Sequence, residues 1–330
     1  MKQARVVSPI TELLLTTAGN ALATLQRGNR MCVVNYHRVL AVKNPLVEAD
    51  PDLTTFRWQM ELLARCFNVL PLRDALRALD AGQLPPRAVC ITFDDGYRSL
   101  HDLALPVLRD YRLPATVFVT SGHIDEGNMW NDRIIDAIQA LPGSRLDLGE
   151  FGLGEYALHN LALRRAAIQT VTEKSKYLPP AMRHAVIERL IALGGNKKAP
   201  ELMLTRDMIL NLDREGIEVG AHTVTHPILT RLDDDSARSE IIDGKAQIEA
   251  ILGKPVHLFA YPNGKPGKDY HQGHVDMVRE AGFEAAFTTE VSAIRRGHHR
   301  FELPRSRPWD STPLRFGMRL LHWLAQRGDH

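Results

Sequence analysis

The order of segments predicts an α/β fold built on a mostly parallel sheet, open or closed into a barrel, with helices packed against it. Three observations lead there. Short β-type runs recur along the 330 residues with helical patterns between them, the signature of βα units. Several runs are apolar at consecutive positions, as in strands covered on both faces. Two of them end in adjacent Asp or closely spaced His residues, and parallel α/β folds place their sites at strand C-termini.

Composition narrows the class. A hydrophobic content of 44% and a charged content of 24% are those of a globular chain able to bury a substantial core. A net charge of +2 argues against a dedicated nucleic-acid binder. Cys32, Cys66 and Cys90 lie in apolar contexts without CxxC spacing, so reduced buried thiols and a cytoplasmic location are expected.

At the N-terminus, Lys2 and Arg5 precede a moderately apolar stretch, but Pro9, Glu12, Asn20 and Gln26 interrupt it as a signal peptide. Ser8 as N-cap, Pro9 in the first turn and Ile10, Leu14, Ala18, Ala21 and Leu25 at helical spacing predict an amphipathic helix within residues 1–30. The main domain is placed at 31–310. Its expected strands are Met31–Asn35, Ala88–Phe93, Ala115–Thr120, Ile217–Ala221, Val256–Ala260 and Ala285–Thr288. Helices are expected at Leu53–Arg65, Arg73–Ala81, Leu100–Tyr111, Ser236–Leu252 and His274–Ala281. Residues from about 143 to 204 break this rhythm between Leu141-Pro142-Gly143 and Gly194-Gly195-Asn196. With helical patterns at Leu161–Lys174 and Pro180–Leu193, they read as a helical insertion. Within 311–330, Leu314, Met318, Leu321 and Leu324 form one helical face and Arg315, Arg319 and His322 another. Such a helix docks on its own domain or lies on an anionic membrane surface, here the inner membrane.

The chemistry starts at "TFDDG", residues 92–96. Asp94 and Asp95 end an apolar strand, and two adjacent like charges call for a cation or strong donor; turn chemistry alone is the simpler account of Asp-Asp-Gly. The partner is expected in "HTVTH", 222–226, after another strand end. His222 and His226 at i,i+4 can face one point, from a helical turn or from a tight loop. Two His and one carboxylate hold a divalent metal with a position left open for water, and the second carboxylate is free to act as a base.

These motifs resemble the first two of the polysaccharide deacetylases, the NodB-homology fold of carbohydrate esterase family 4, and the likeness runs from about Val33 to Arg305. The resemblance implies a distorted (β/α) barrel of the polysaccharide deacetylase type with a helical insertion. It implies Asp94 as general base and Asp95, His222 and His226 as metal ligands, with zinc favoured and cobalt, nickel or manganese as alternatives. The third family motif, Arg-x-Pro-Tyr/Phe-Gly, is matched by "FAYPNG", 259–264, where Ala260 and Tyr261 precede Pro262. The family arginine is missing, and the Tyr261 N–H is left as oxyanion donor. Arg305 in "ELPRSRP" is the candidate replacement orienter of Asp94, a surface arginine being the alternative. The family's late Leu-x-His has no clear match. Instead "VVNYHRV" resembles the N-terminal Tyr-His of the exopolysaccharide-modifying branch, which makes His37 the candidate site histidine and acid. "MWND", 129–132, resembles a stretch of the same branch, with Trp130 either stacking on a sugar or buried. The implied activity is metal-dependent removal of an N-acetyl group from an amino sugar of a glycan or lipid-linked glycan. O-acetyl or other amide hydrolysis, or carbohydrate binding without catalysis, are the rivals.

Overall fold

The computed structural model describes residues 7–26, 29–47, 50–195, 200–307 and 310–326. Lys2, Arg5 and Asn196, used above, lie outside them, as do the side chains of Leu25 and Gln26. In chain order the elements are α1 (Pro9–Gln26), β1 (Arg30–Tyr36), α2 (Leu53–Cys66), β2 (Asn68–Val69), α3 (Leu72–Ala81) and β3 (Ala88–Phe93). A wider helical turn at Leu100–Ala104 leads into α4 (Leu105–Tyr111), followed by β4 (Thr116–Val119), α5 (Trp130–Ala140), β5 (Arg145–Asp147) and β6 (Glu155–Ala157). Then come α6 (Leu161–Ser175), α7 (Pro180–Leu193), α8 (Arg206–Arg214), β7 (Glu218–Ala221), α9 (Asp234–Leu252), β8 (Leu258–Ala260), α10 (Gln272–Glu280), β9 (Ala285–Phe287), β10 (Ile294–Arg295) and α11 (Pro313–Ala325). Short polar side chains start several helices by satisfying a free backbone N–H: Asp52 caps α2, Thr205 α8 and Asp233 α9.

The chain falls into two compact units. One is drawn from Met1–Val42, Asp50–Ile124 and Leu204–His330, the other from Lys43–Ala49 and Asp125–Met203. The second is wider than the expected insertion, because α5 shares an apolar cluster (Ile134, Ile138) with α6 and α7 (Ile168, Val171, Ile187, Leu190), and the β5–β6 hairpin adds Leu146 and Leu148.

The first unit holds the sheet, ordered β10-β1-β3-β4-β7-β8-β9 with β2 beside β3. Every pair is parallel except β10 with β1. Leu303–Ser306, though not a strand, bridges the end strand β9 to β1, the strand next to the other end of this order. Leu303 exchanges backbone bonds with β9 (Leu303 N to Ala286 O, Thr288 N to Leu303 O), and Ser306 with β1 (Ser306 N to Val33 O, Asn35 N to Ser306 O). The sheet is thereby curled into a distorted barrel. Strand alternation sorts its residues. Met31, Val33, Ala88, Cys90, Phe118, Leu258, Ala260 and Phe287 share one cluster with α3. Cys32, Val34, Val89, Ile91, Val117, Val219 and Phe259 join the other, under α2, α4 and α8–α11. Continued to the C-terminal ends, the first parity carries Asn35, Thr92, Asp94, Gly220 and His222.

Both terminal helices pack on this unit, α1 not by the expected face and α11 by only half of it, Leu321 and Leu324. In α1 the buried positions are Leu15 and Gly19, while Ile10 and Leu14 are 72% and 52% exposed. In α11 Phe316, Gly317, Leu320, Leu321, Trp323 and Leu324 are buried, and Leu314 and Met318 are exposed. Two glycines decide this. A Cβ on Gly317 would stand 2.3 Å from Leu15, and one on Gly19 would meet the Arg87 stem at 2.3 Å, so the helices meet where side chains are absent. No helix of the described residues is long and apolar enough to cross a membrane.

Candidate metal centre

Asp95, His222 and His226 come together at the C-terminal ends of β3 and β7. His222 Nε2 and His226 Nε2 each lie 3.4 Å from the same oxygen, Asp95 Oδ1. That is longer than a charge-assisted N–H···O bond, and this buried oxygen has no hydrogen-bond donor. A buried carboxylate oxygen facing two imidazole nitrogens without hydrogen bonds fits a shared cation. The spacing agrees too, since ligand atoms about 2.0–2.1 Å from a tetrahedral cation stand about 3.3–3.4 Å apart.

Local structure prepares each ligand. His222 Nδ1 donates to Ala260 O at 2.7 Å; a carbonyl can only accept, which places a proton on Nδ1 and leaves Nε2 as the nitrogen facing Asp95. His222 and His226 are presented by a tight loop, not a helical turn. Within it Thr223 (φ 66°) and His226 (φ 56°) are left-handed, and Asp95 (φ 74°) is as well, uncommon conformations for residues with a Cβ. The Thr223 hydroxyl donates to His222 O and accepts His226 N–H, tying the two ligand residues together. Burial pushes His226 down to about 3 against the pull of Asp95, so this imidazole is neutral, as a ligand must be. Burial pushes Asp95 up, but the imidazoles of His226, His37 and His222 outweigh it and hold the carboxyl well below the usual range.

Asp94 is built differently. Arg305 grips it bidentately, Nη1 to Oδ1 at 2.6 Å and Nη2 to Oδ2 at 2.8 Å, and Asn35 Nδ2 donates to Oδ2 at 2.9 Å. Arg305 is 2% exposed, so the surface-arginine alternative is excluded. Its Nε donates to Thr288 O at 3.1 Å, and its guanidinium lies over the Phe118 ring at 5.2 Å. Gly220 makes room for that ring: a Cβ there would stand 2.6 Å from it. Burial raises the Asp94 carboxyl, yet the Arg305 and His222 charges prevail and its pKa is lowered. Asn35 was missed in the sequence, although a lone amide ending the apolar run Met-Cys-Val-Val was a readable signal.

The other candidates are placed as follows. His37 follows β1, half-buried, with Nδ1 unbonded and within electrostatic reach of Asp95 and Asp94; burial lowers its pKa, so the free imidazole is neutral at pH 7. Tyr261 requires a correction. Its N–H donates to Phe287 O at 3.0 Å, which continues the β8–β9 pairing, and is not free for an oxyanion. Its ring follows the outward parity of Phe259 and stacks on Tyr270 at 4.0 Å, fully buried. Pro262 is buried in the turn closed by Gly264 N–H on its carbonyl. What the third motif contributes here is the Ala260 carbonyl under His222. Trp130 starts α5 in the second unit, where the Arg183 guanidinium lies over its ring at 4.8 Å.

Asp234, His271 and His274 form a second Asp-His-His grouping. In both imidazoles Nδ1 already accepts a backbone N–H, from Gly273 and from His271 respectively. Each neutral ring therefore carries its proton on Nε2, and neither nitrogen is free for a cation. His271 and His274 instead form the capping box of α10, which starts at Gln272.

Comparison with known proteins agrees with this geometry. The family profile described as "Polysaccharide deacetylase" matches residues 81–286, more than half of the chain. Poly-beta-1,6-N-acetyl-D-glucosamine N-deacetylase of Staphylococcus aureus is 29% identical over 139 residues, 37% of this chain and 47% of that protein. The protein of the same name from Staphylococcus epidermidis is 31% identical over 125 residues, 34% and 43% of the two chains. The chain thus spans about half the length of the curated relatives it matches. Among solved structures, IcaB from Ammonifex degensii superposes with TM-score 0.59 at 19% identity, covering 91% of this chain and 98% of that one. Streptococcus pyogenes deacetylase PplD in complex with acetate gives 0.58 at 19%, covering 89% and 98%. These likenesses show the fold, a NodB-type (β/α) barrel, and the profile match shows the family: the chain belongs to the polysaccharide deacetylases.

Proposed function

We propose that the chain is a metal-dependent hydrolase that removes N-acetyl groups from amino sugars of a polysaccharide or lipid-linked glycan. The observation that carries this reading is a carboxylate locked by a buried arginine, Asp94, one residue from a three-ligand cation site. The staphylococcal relatives, named as poly-beta-1,6-N-acetyl-D-glucosamine N-deacetylases, support the substrate class. Asp95, His222 and His226 are the proposed ligands, and their two imidazoles and one carboxylate favour zinc. When bound, such a cation polarises the acetamide carbonyl and acidifies a water.

The remaining chemistry belongs to the chain. Asp94 takes the water's proton; Oδ1 carries a single hydrogen bond from Arg305, which leaves it a lone pair for that proton. Being held below its ordinary pKa, Asp94 is ionised throughout the neutral range. Arg305 and Asn35 fix the carboxylate plane so that the accepting lone pair has one direction. His37 is the proposed donor to the departing amine. Because its free imidazole is neutral, it has to take up a proton within the catalytic cycle. Products are acetate and a glycan amine that is cationic at neutral pH.

The test is acetate release from N-acetylglucosamine oligomers by chelator-stripped protein, before and after Zn²⁺, Co²⁺, Ni²⁺ or Mn²⁺ is restored. Release from an O-acetylated glycan with none from the N-acetyl substrate would replace the amide reading by an ester one. Binding of the oligomer without release of either acetate would leave a carbohydrate-binding protein.

A further inference from the structure

We propose that Glu240, on α9, sets the cation affinity of the Asp95–His222–His226 site by clamping the loop between the two histidines; the inference rests on the metal-centre reading above. Glu240 Oε2 accepts both the Val224 and the Thr225 N–H groups at 2.8 Å, and Oε1 accepts the Thr225 hydroxyl at 2.6 Å. One carboxylate thus takes three donors from the two residues that separate the Thr223 brace from His226. No ion pair engages it among the described residues, so its bonds are committed to this loop.

The loop needs such a partner. A β-branched residue at positive φ is a genuine outlier, and Thr223 is one; such conformations persist only where the surroundings over-determine them. On its other side the loop is held by Ser121 N–H on Thr223 O at 3.1 Å and Gly122 N–H on Val224 O at 2.8 Å. α9 also presses directly on it at Gly244, where a Cβ would stand 2.9 Å from the Thr223 carbonyl carbon. Glu240 and Gly244, i and i+4 on α9, therefore present one face of the helix to the loop. Without the carboxylate, Val224 and Thr225 lose their N–H acceptor, Thr223 can relax toward negative φ, and the angle between the imidazoles changes. Glu240 touches neither ring; it is a positioning residue. Partners that orient metal ligands from outside the coordination shell typically change affinity about 10–100-fold.

The experiment measures Zn²⁺ affinity of the full chain by competition with a chromophoric chelator, together with the rise in melting temperature on Zn²⁺ addition. Glu240→Ala is expected to weaken Zn²⁺ binding by about 10–100-fold and to shrink that rise. Glu240→Gln, which keeps an acceptor oxygen and the side-chain shape, is expected to fall between the two and serves if the alanine variant does not fold. Glu249→Ala is the control for a merely structural role. Glu249 lies on the same helix and accepts the Val256 N–H at 2.9 Å, a bond outside the ligand loop, so its loss should leave Zn²⁺ affinity unchanged. Wild-type affinity in both Glu240 variants, or an equal loss in Glu249→Ala, would overturn the role of Glu240. No Zn²⁺ uptake by the unaltered chain would overturn the metal centre itself, and the proposal with it.

Discussion

Replacing Arg305 by lysine keeps the positive charge and removes the fork, which makes it the sharpest probe of how Asp94 is held. In the native chain the guanidinium makes two bonds to Asp94 and one to Thr288 O, all buried. An ammonium on a shorter reach can serve one Asp94 oxygen but not both, and leaves the Thr288 carbonyl without its donor. Hydrogen bonds to charged groups contribute about 1.5–3 kcal/mol each, so losing one of them and stranding a carbonyl should cost roughly 2–4 kcal/mol of stability. Arg305→Met goes further, leaving a buried carboxylate unpaired, and should cost about 3–5 kcal/mol. The pH dependence separates the variants. Native Asp94 has a lowered pKa, so its contribution is present above the unfolded value near 3.9 and is lost as pH falls through the lower folded one. In Arg305→Met burial acts without its main opponent, the carboxyl shifts upward, and the urea midpoint should rise as pH is lowered from 7 to about 5. Turnover should fall about 100-fold in Arg305→Lys, the scale of a misplacement near 1 Å, with bound metal unchanged because Arg305 contacts none of the three ligands. A wild-type rate in folded Arg305→Lys would refute its role as orienter.

Elemental analysis should find the metal retained in Asp94→Asn and lost in Asp95→Asn and His222→Ala; the reverse pattern for the two aspartates would exchange their roles. His37→Ala should slow amide cleavage by about 10²–10⁴-fold but an activated acetyl ester far less, and equal losses on both substrates would remove it as the acid. Glu218, at the start of β7, is pushed up to about 7 by burial, with Arg73 at 3.7 Å opposing. The folded state therefore binds its proton more tightly, and stability falls as pH rises from about 4.5 to 7; Glu218→Gln should abolish roughly 1–3 kcal/mol of that fall, and an unchanged melting-temperature profile would contradict it. Ile10, Leu13, Leu14, Leu314 and Met318 remain exposed on the paired helices α1 and α11, beside Arg315. Flotation with anionic but not zwitterionic vesicles, lost in Leu13→Ser/Leu314→Ser, is the outcome expected of a membrane-facing surface, and no flotation would rule that role out.

What the sequence made legible, and what it hid, follows from how far each signal travels along the chain. Asp94, Asp95, His222 and His226 could be read because strand ends and short spacings are local, and a parallel sheet brings such ends to one rim. Arg305 could be reached only by asking what replaced a missing arginine. Leu303–Ser306 has no strand periodicity, and its place between β9 and β1 is a property of the curled sheet. Tyr261 shows the opposite error, a residue assigned by its neighbourhood in a motif. Ala260 shares the inward parity of Leu258, so the next residue turns outward with Phe259, and the pairing with Phe287 consumes its N–H. For α1 the periodicity was right and the face wrong, and of the expected α11 face only Leu321 and Leu324 are buried, since a pattern of apolar residues does not announce that Gly19 and Gly317 are where the helices touch. Glu240 was beyond sequence reasoning for a similar cause. A glutamate on a long helix is ordinary surface chemistry until a loop from another strand end is laid against it. The residues proposed to perform the chemistry thus sit in local patterns, whereas those proposed to hold them in place are set by tertiary approach; the informative substitutions are therefore the paired ones, Arg305 with Asp94 and Glu240 with the histidine loop.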